Sequence, residues 1–468
     1  MPSYDLIIRN GTLGTSTGTL PADLAIKDGK IAEIGSNIAK SGPEMDATGL
    51  LVLPGGVDSH CHIEQLSGAG LMNADTFESA TRSAAFGGTT TTISFAAQHP
   101  GMRLRDTVSN YAKLAEKGAL IDHAFHAIVA DVSGENLTHD LPALIAAGHR
   151  SIKIFTTYDK VRLDDEAILE TLCTARDHGA LVCFHAENDG LIRWATKRLL
   201  AAGKVAPKYH PASHPRLAEV EAISRMCYLS QAADQPIMIF HVSTVEGLEV
   251  LAQARARGVQ VVAETCPHYL LQGPELLDQP NGAAFMCSPP QREPTDRAAL
   301  WAALANGDLQ AVTSDHAPYR MDETGKFAHG SDAPFNRIAN GMPGLEARLP
   351  LMFDAMMQRG LSIADFVRLT ATNPAQVFGL AGKGDIAIGM DADIAIWDPA
   401  HKRTFGENDL HDNCGYNPFA GYTVTGWPVT VLSRGAVVVQ NGKIIGKPGQ
   451  GRRVPMQISD AMKPANRL

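Results

Sequence analysis

Apolar and polar positions follow two rhythms along this chain. At both ends short apolar runs stop at turn dipeptides. Ile7-Ile8-Arg9 leads into Asn10-Gly11, and Leu24-Ala25-Ile26 leads into Asp28-Gly29, with Ile31-Ala32-Glu33-Ile34 after it. Towards the other end Asp393-Ile394-Ala395-Ile396-Trp397 and Val429-Thr430-Val431-Leu432 read as strands. Val437-Val438-Val439 then reaches Asn441-Gly442, followed by Lys443-Ile444-Ile445. Asn-Gly and Asp-Gly between apolar runs signal hairpins, because both turn positions tolerate positive φ. The pattern predicts one small β-sandwich built from both termini. Two separate edge hairpins packed on a main domain are the alternative.

Between the ends, short β-branched runs alternate with longer helical patterns. Strands are expected at residues 51–57, 89–95, 123–129, 151–155, 181–185, 237–241, 259–265 and 311–314. Helical stretches separate them, for instance 76–86, 164–178, 216–232 and 245–257, several opening at Thr, Asp or Ser as capping asks. Eight such alternations predict an α/β protein with a (β/α)8 TIM barrel. An open doubly wound sheet is the competitor, but it usually carries a Gly-rich phosphate turn after its first strand, and none stands here. The expected division is 1–53 and 385–450 for the sandwich, 54–384 for the barrel and 451–468 for a tail.

Length and composition narrow the class. The chain has 468 residues, 44% hydrophobic and 19% charged, which suits a folded enzyme rather than a disordered chain. A formal net charge of -9 without a long basic run argues against nucleic acid as a partner. Seven scattered cysteines without CxxC spacing argue against a disulfide framework and for a reducing, cytoplasmic setting. The start lacks the pattern of a signal peptide, and no apolar run approaches the ~20 residues of a membrane span, so no membrane association is expected.

The barrel reading demands that working residues sit at the C-terminal ends of strands. In Pro54-Gly55-Gly56-Val57-Asp58-Ser59-His60-Cys61-His62, the two histidines are spaced two apart and share one face of an extended segment. Cys61 between them points the other way and reads as core packing. Lys153 lies in the fourth run, His185 ends the fifth, His241 ends the sixth, and Asp315 follows the eighth. Four histidines and an aspartate suit a borderline divalent metal such as zinc. Lys153 has no lone pair while protonated, yet its neutral amine can add carbon dioxide to give a bridging carbamate. A plain ion pair with Asp315 is the other reading of Lys153. His126, His268 and His316 are expected to be packed or supporting histidines.

The ordered set resembles the amidohydrolase superfamily, in its two-metal branch with a carboxylated lysine, and more narrowly the hydantoinase and dihydropyrimidinase family. Beside the segments above, the resemblance rests on Ala84-Ala85-Phe86-Gly87-Gly88-Thr89-Thr90, Ser151-Ile152-Lys153-Ile154-Phe155 with Tyr158, and Phe184-His185-Ala186-Glu187-Asn188. It continues through His241-Val242-Ser243, Glu264-Thr265-Cys266-Pro267-His268-Tyr269, Cys287-Ser288-Pro289-Pro290-Gln291-Arg292-Glu293, Ser314-Asp315-His316 and Asn340-Gly341-Met342-Pro343-Gly344.

The resemblance implies two divalent metal ions, zinc being the expected identity. His60, His62 and Asp315 would hold the more buried ion and His185 and His241 the more exposed one. Lys153, as N6-carboxylysine, would bridge them. It further implies a hydroxide between the metals as nucleophile, Tyr158 donating to the oxyanion, Asp315 as proton carrier, and Ser288 and Asn340 gripping the cyclic amide edge. The implied activity is opening of hydantoins or dihydropyrimidines to N-carbamoyl amino acids, by a homo-oligomer, dimer or tetramer. Allantoinase, imidase and dihydroorotase use the same chemistry and remain open, as does a non-catalytic scaffold of the same fold. Helical residues 345–360 and the tail 451–468 are candidate subunit contacts.

Three places depart from the family pattern. Cys61 stands where Thr is frequent, and the loop 65–74 is rich in small residues. Asp159, Lys160 and Arg162 follow Tyr158 where the family tends to be more apolar. Lys160 or Arg162 is therefore expected to favour a polar or anionic ring substituent over a bulky aromatic one, with solvated surface charges as the alternative.

Overall fold

The computed structural model describes residues 3–68 and 70–464. Five strands come first: β1 (Leu6–Thr15), β2 (Gly18–Lys27), β3 (Lys30–Gly35), β4 (Glu44–Asp46) and β5 (Leu51–Pro54). Eight more follow: β6 (Gly56–Cys61), β7 (Thr89–Ala97), β8 (Asp122–Ile128), β9 (Ser151–Phe155), β10 (Leu181–His185), β11 (Ile237–Ile239), β12 (Val261–Thr265) and β13 (Ala311–Val312). The last four are β14 (Ile394–Thr404), β15 (Thr423–Ser433), β16 (Ala436–Gln440) and β17 (Lys443–Ile444).

Strands β6 to β13 form one parallel sheet in strict chain order, each neighbour following the last. A parallel bridge between Cys61 and His316 joins its two ends, so the sheet closes as a barrel. Arg348 and Asp58, both wholly buried, form an ion pair at 3.2 Å at that seam. Arg348 also donates to the carbonyls of Val57 and Val312, on the first and eighth strands. Helices return the chain between strands. Phe77–Phe86 is capped by the Thr76 hydroxyl, Asp165–His178 by Asp164, and Val245–Ala256 by Thr244.

The terminal strands form a second, nine-stranded sheet in the order β17-β16-β15-β14-β5-β1-β2-β3, with β4 beside β1. It folds back on itself. Ile8, Leu24 and Ile26 share one buried core with Ile394, Ile396 and Leu432. The halves touch where Gly435 lies against Ile26. Thus both termini build one layered unit, as the pattern of apolar runs predicts.

Three expectations are corrected. Residues 51–57 are two strands. Leu51–Pro54 pairs with β14 and β1 in the terminal sheet, and the barrel strand starts at Gly56. The break falls at Gly55, where a Cβ would lie 2.1 Å from the Thr90 hydroxyl oxygen. Periodicity sees one apolar run because both halves are buried.

Asn10-Gly11 is not a hairpin turn. Asn10 is left-handed (φ 59) inside β1, at a bulge that shifts the register against β2. Gly11 lies so close to Val52 that a Cβ would meet it at 2.6 Å. Asp28-Gly29 and Asn441-Gly442 do turn hairpins, with both residues of each pair at positive φ.

The helix Leu345–Gln358 is no free subunit surface. It is buried from Leu345 through Phe353, because it runs between the barrel and the terminal sheet. The tail lies along its own barrel. Val454 bonds to His123, Met456 to Gly148 and Gln457 to Gly379, while residues 465–468 lie outside the described residues. Among the described residues no helix is long and apolar enough to cross a membrane.

Candidate active site

Strand alternation and strand ends bring the chemistry together. His60 lies in β6, with His62 just beyond it. Lys153 sits in the middle of β9, His185 ends β10, His241 follows β11, and Asp315 follows β13. All six line one cavity of about 420 Å³ at the C-terminal mouth of the barrel, together with Tyr158, Ser288 and Asn340. His241, Asp315 and Tyr158 hold left-handed backbone (φ 41, 45 and 73). Such strain in non-glycine residues concentrates at functional sites.

Two groups of ligand atoms are visible. His60 Nε2 lies 3.0 Å and His62 Nε2 3.5 Å from Asp315 Oδ1. These three side chains bring ligating atoms within 4.8 Å of one another. His241 Nε2 lies 2.9 Å from His185 Nδ1.

The supporting bonds fix which ring nitrogens carry lone pairs. His60 Nδ1 meets Glu264 Oε1 at 2.5 Å, His62 Nδ1 meets Gln65 Oε1 at 2.7 Å, and His185 Nε2 meets Glu187 Oε2 at 2.8 Å. Each of those contacts calls for an N–H on the outer nitrogen, which turns the inner one towards the cavity, where it offers a lone pair once no proton sits on it. Metal-ligating histidines are oriented in this way. Burial alone would lower the pKa of His60, yet the Asp315 and Glu264 carboxylates outweigh it and raise the ring to about 9. A cation placed between His60 Nε2 and Asp315 Oδ1 would replace the proton that this pair otherwise shares. The donor set therefore fits a divalent metal.

Lys153 is buried with its Nζ 4.1 Å from the Phe240 ring centre, 4.9 Å from Phe155 and 5.5 Å from Phe95. Among the described residues it forms no ion pair, with Asp315 or any other carboxylate. Burial pulls its pKa down to about 7, the charge of Asp315 opposing this only in part. A neutral amine is thus available near neutral pH, as carbamate formation requires. Asp315 is also desolvated, but the surrounding histidines hold its carboxyl well below the usual range.

Burial raises the pKa of the Tyr158 hydroxyl. It is therefore a neutral donor at any working pH. Asn340 Oδ1 is buried without a hydrogen-bond partner among the described residues.

The three histidines set aside from ligation are tied elsewhere or packed. His126 bonds Ser59 and Ser151, His316 bonds Asp75, and His268 is buried against Tyr269. Cys61 points away from the cavity, towards the carbonyl of Ile93.

One expected specificity residue is corrected. Arg162 does not line the cavity. It pairs with Asp189 at 3.5 Å and more loosely with Asp159 at 3.9 Å, and of these two acids Asp159 lines the cavity. Lys160 does line the cavity, beside the apolar walls of Leu66, Leu71, Val161 and Ile338.

Sequence reasoning assigned no role to Glu187 and Glu264. Glu187 was legible, since His185-x-Glu187 repeats the spacing of His60-x-His62. Glu264 lies 204 positions from His60, and only the closed barrel joins them.

The amidohydrolase family model matches residues 51–438. D-hydantoinase of Rhizobium radiobacter is 40% identical over 452 residues, 96% of this chain and 98% of the relative. D-phenylhydantoinase of Escherichia coli is 38% identical over 453 residues, 96% of this chain and 97% of its own. The crystal structure of dihydropyrimidinase from Brevibacillus agri superposes with a TM-score of 0.93 at 39% identity, covering 97% of this chain and 99% of its own. Matching family, relatives and fold over nearly the full length, the chain belongs to the amidohydrolase family.

Proposed function

We propose that this protein hydrolyses a cyclic ureide, a hydantoin or dihydropyrimidine, to the N-carbamoyl amino acid. In this reading His60, His62 and Asp315 would hold one divalent ion, His185 and His241 would hold a second, and carboxylated Lys153 would serve both, with zinc the expected metal. When bound, such ions lower the pKa of water towards neutrality and polarise a carbonyl.

The remaining work falls to side chains. Tyr158 O–H donates to the carbonyl oxygen as negative charge develops there. Asp315, held anionic, takes the proton of the attacking water and delivers it to the ring nitrogen as the C–N bond breaks. One water is consumed, its OH on the carbonyl carbon and its hydrogen on nitrogen. Ser288 and Asn340 hold the amide edge, and the unpartnered Asn340 Oδ1 is free to accept an N–H there. A homo-oligomer, dimer or tetramer, completes the proposal.

The carrying observation is that six side chains from five strands meet at one cavity, with the outer ring nitrogens of His60, His62 and His185 tied to Glu264, Gln65 and Glu187. The test is hydrolysis of hydantoin and dihydrouracil before and after stripping with a chelator. The expected result is activity lost on stripping and regained with zinc. A protein that opens neither ring with metal supplied is a scaffold or acts on another cyclic amide.

Lys160 gives a narrower prediction. Exposed ion pairs contribute about 0.2–1 kcal/mol, so Lys160→Ala should lower kcat/KM for a 5-substituted hydantoin with an acidic side chain by about 1.4- to 5-fold. The rate on a 5-phenyl substrate should not change. A parent enzyme with a clear preference for aromatic over acidic substituents removes this role for Lys160.

A further inference from the structure

Lys326 is wholly buried and has no part in the chemistry above. Among the described residues no carboxylate pairs with it. Burial draws its pKa down to about 7, the Cys287 and Cys414 thiols opposing only in part. An ammonium buried without a counter-ion is costly, so its contacts matter. It donates to the Ala339 carbonyl at 2.9 Å and, more weakly, to the Met286 carbonyl at 3.4 Å. Those carbonyls flank the two pieces of backbone that carry Asn340 and Ser288.

The same strip of chain is held on both sides. Gly341 N–H donates to the Met286 carbonyl at 2.8 Å, and Ala317 N–H donates to the Met342 carbonyl at 2.9 Å. Residues 339–342 are thus wedged between the Ser288 segment and the residues just after Asp315. Gly341 admits no side chain, since a Cβ would lie 2.5 Å from the Ala317 carbonyl. Lys326 reaches this wedge from the loop that leaves Asp315 and returns at Asn340.

We propose that Lys326 is a positioning residue for substrate binding, joining the Met286 and Ala339 backbones and so setting the spacing between Ser288 and Asn340. The proposal rests on the cyclic-ureide reading, in which those two residues hold the amide edge. It makes Lys326 act on binding of the ring rather than on the metals or the proton transfers.

The test compares Lys326→Met and Lys326→Gln with the parent enzyme, measuring KM, kcat, metal content and Tm. A misplaced binding edge should raise KM of Lys326→Met roughly tenfold or more while kcat changes less than about threefold. Metal content should equal that of the parent. Gln keeps N–H donors without the charge, so Lys326→Gln should recover most of the lost affinity. A Met variant with KM within about twofold of the parent overturns the proposal, as do a Gln variant no better than Met and a loss that tracks metal content.

Should the Met variant not fold, hydrogen exchange on the parent with a non-hydrolysed cyclic imide decides. Residues 286–288 and 339–341 should gain protection together, and protection of one segment alone overturns the clamp. A parent that opens no ring defeats the functional reading itself. An active parent with an unaffected Lys326→Met defeats only this inference.

Discussion

Lys153→Ala should lose bound metal and with it activity by on the order of 100-fold or more, the scale seen when the surroundings of a metal ligand are removed. The reason lies in where Lys153 sits. Its amine is enclosed by Phe95, Phe155 and Phe240 and forms no ion pair among the described residues. Removal from water favours the uncharged amine, and burial brings the pKa to about 7 although the three ring faces attract an ammonium. An uncharged amine can take up carbon dioxide, forming an N–C bond and releasing one proton. The product carries two oxygens and one negative charge, where the lysine offered neither. Alanine removes the bridge and leaves a gap into which short carboxylic acids fit. Acetate or propionate should therefore restore part of the activity of Lys153→Ala and none in a Lys153→Met variant, whose side chain fills the gap. Metal analysis and rates with added acid read both effects. Full metal content and an undiminished rate in Lys153→Ala contradict the bridging role.

Asp315→Asn should lower turnover by roughly 10²–10⁴-fold, the range for a lost general acid–base group, with a much smaller change in KM. Asp315 is half-buried beside His60, His62 and His241, whose proximity outweighs desolvation and keeps the carboxylate ionised. That is the state a proton acceptor needs. The amide of Asn keeps the shape but has neither the charge nor a basic oxygen. Two functions fail together, since Oδ1 lies against both His60 Nε2 and His62 Nε2. Steady-state kinetics alongside metal analysis separate them. Turnover equal to the parent's removes Asp315 from proton transfer.

Much of this site was legible because barrel geometry is regular. Alternation puts His60 and His62 on one face, and the strand-end rule places His185, His241 and Asp315 at one mouth. What escaped depends on distance through space. Glu264 behind His60 and Arg348 against Asp58 join residues far apart in the chain, and no local pattern carries such pairs. The apolar run across Gly55 hid a change of sheet, since both halves are buried for different reasons. Asn10-Gly11 carries the chemistry of a turn, but in β1 it serves a bulge. The cations after Tyr158 looked alike in sequence, yet of the two only Lys160 lines the cavity, while Arg162 pairs with Asp189 and Asp159.

Diffraction from crystals of the purified protein, recorded on both sides of the zinc absorption edge, tests the convergence most directly. Two anomalous peaks are predicted, one among His60, His62 and Asp315 and one beside His185 and His241, with density for a carboxylated Lys153 joining them. A fully metal-loaded, active sample with a single peak, or with peaks away from these six side chains, would contradict it.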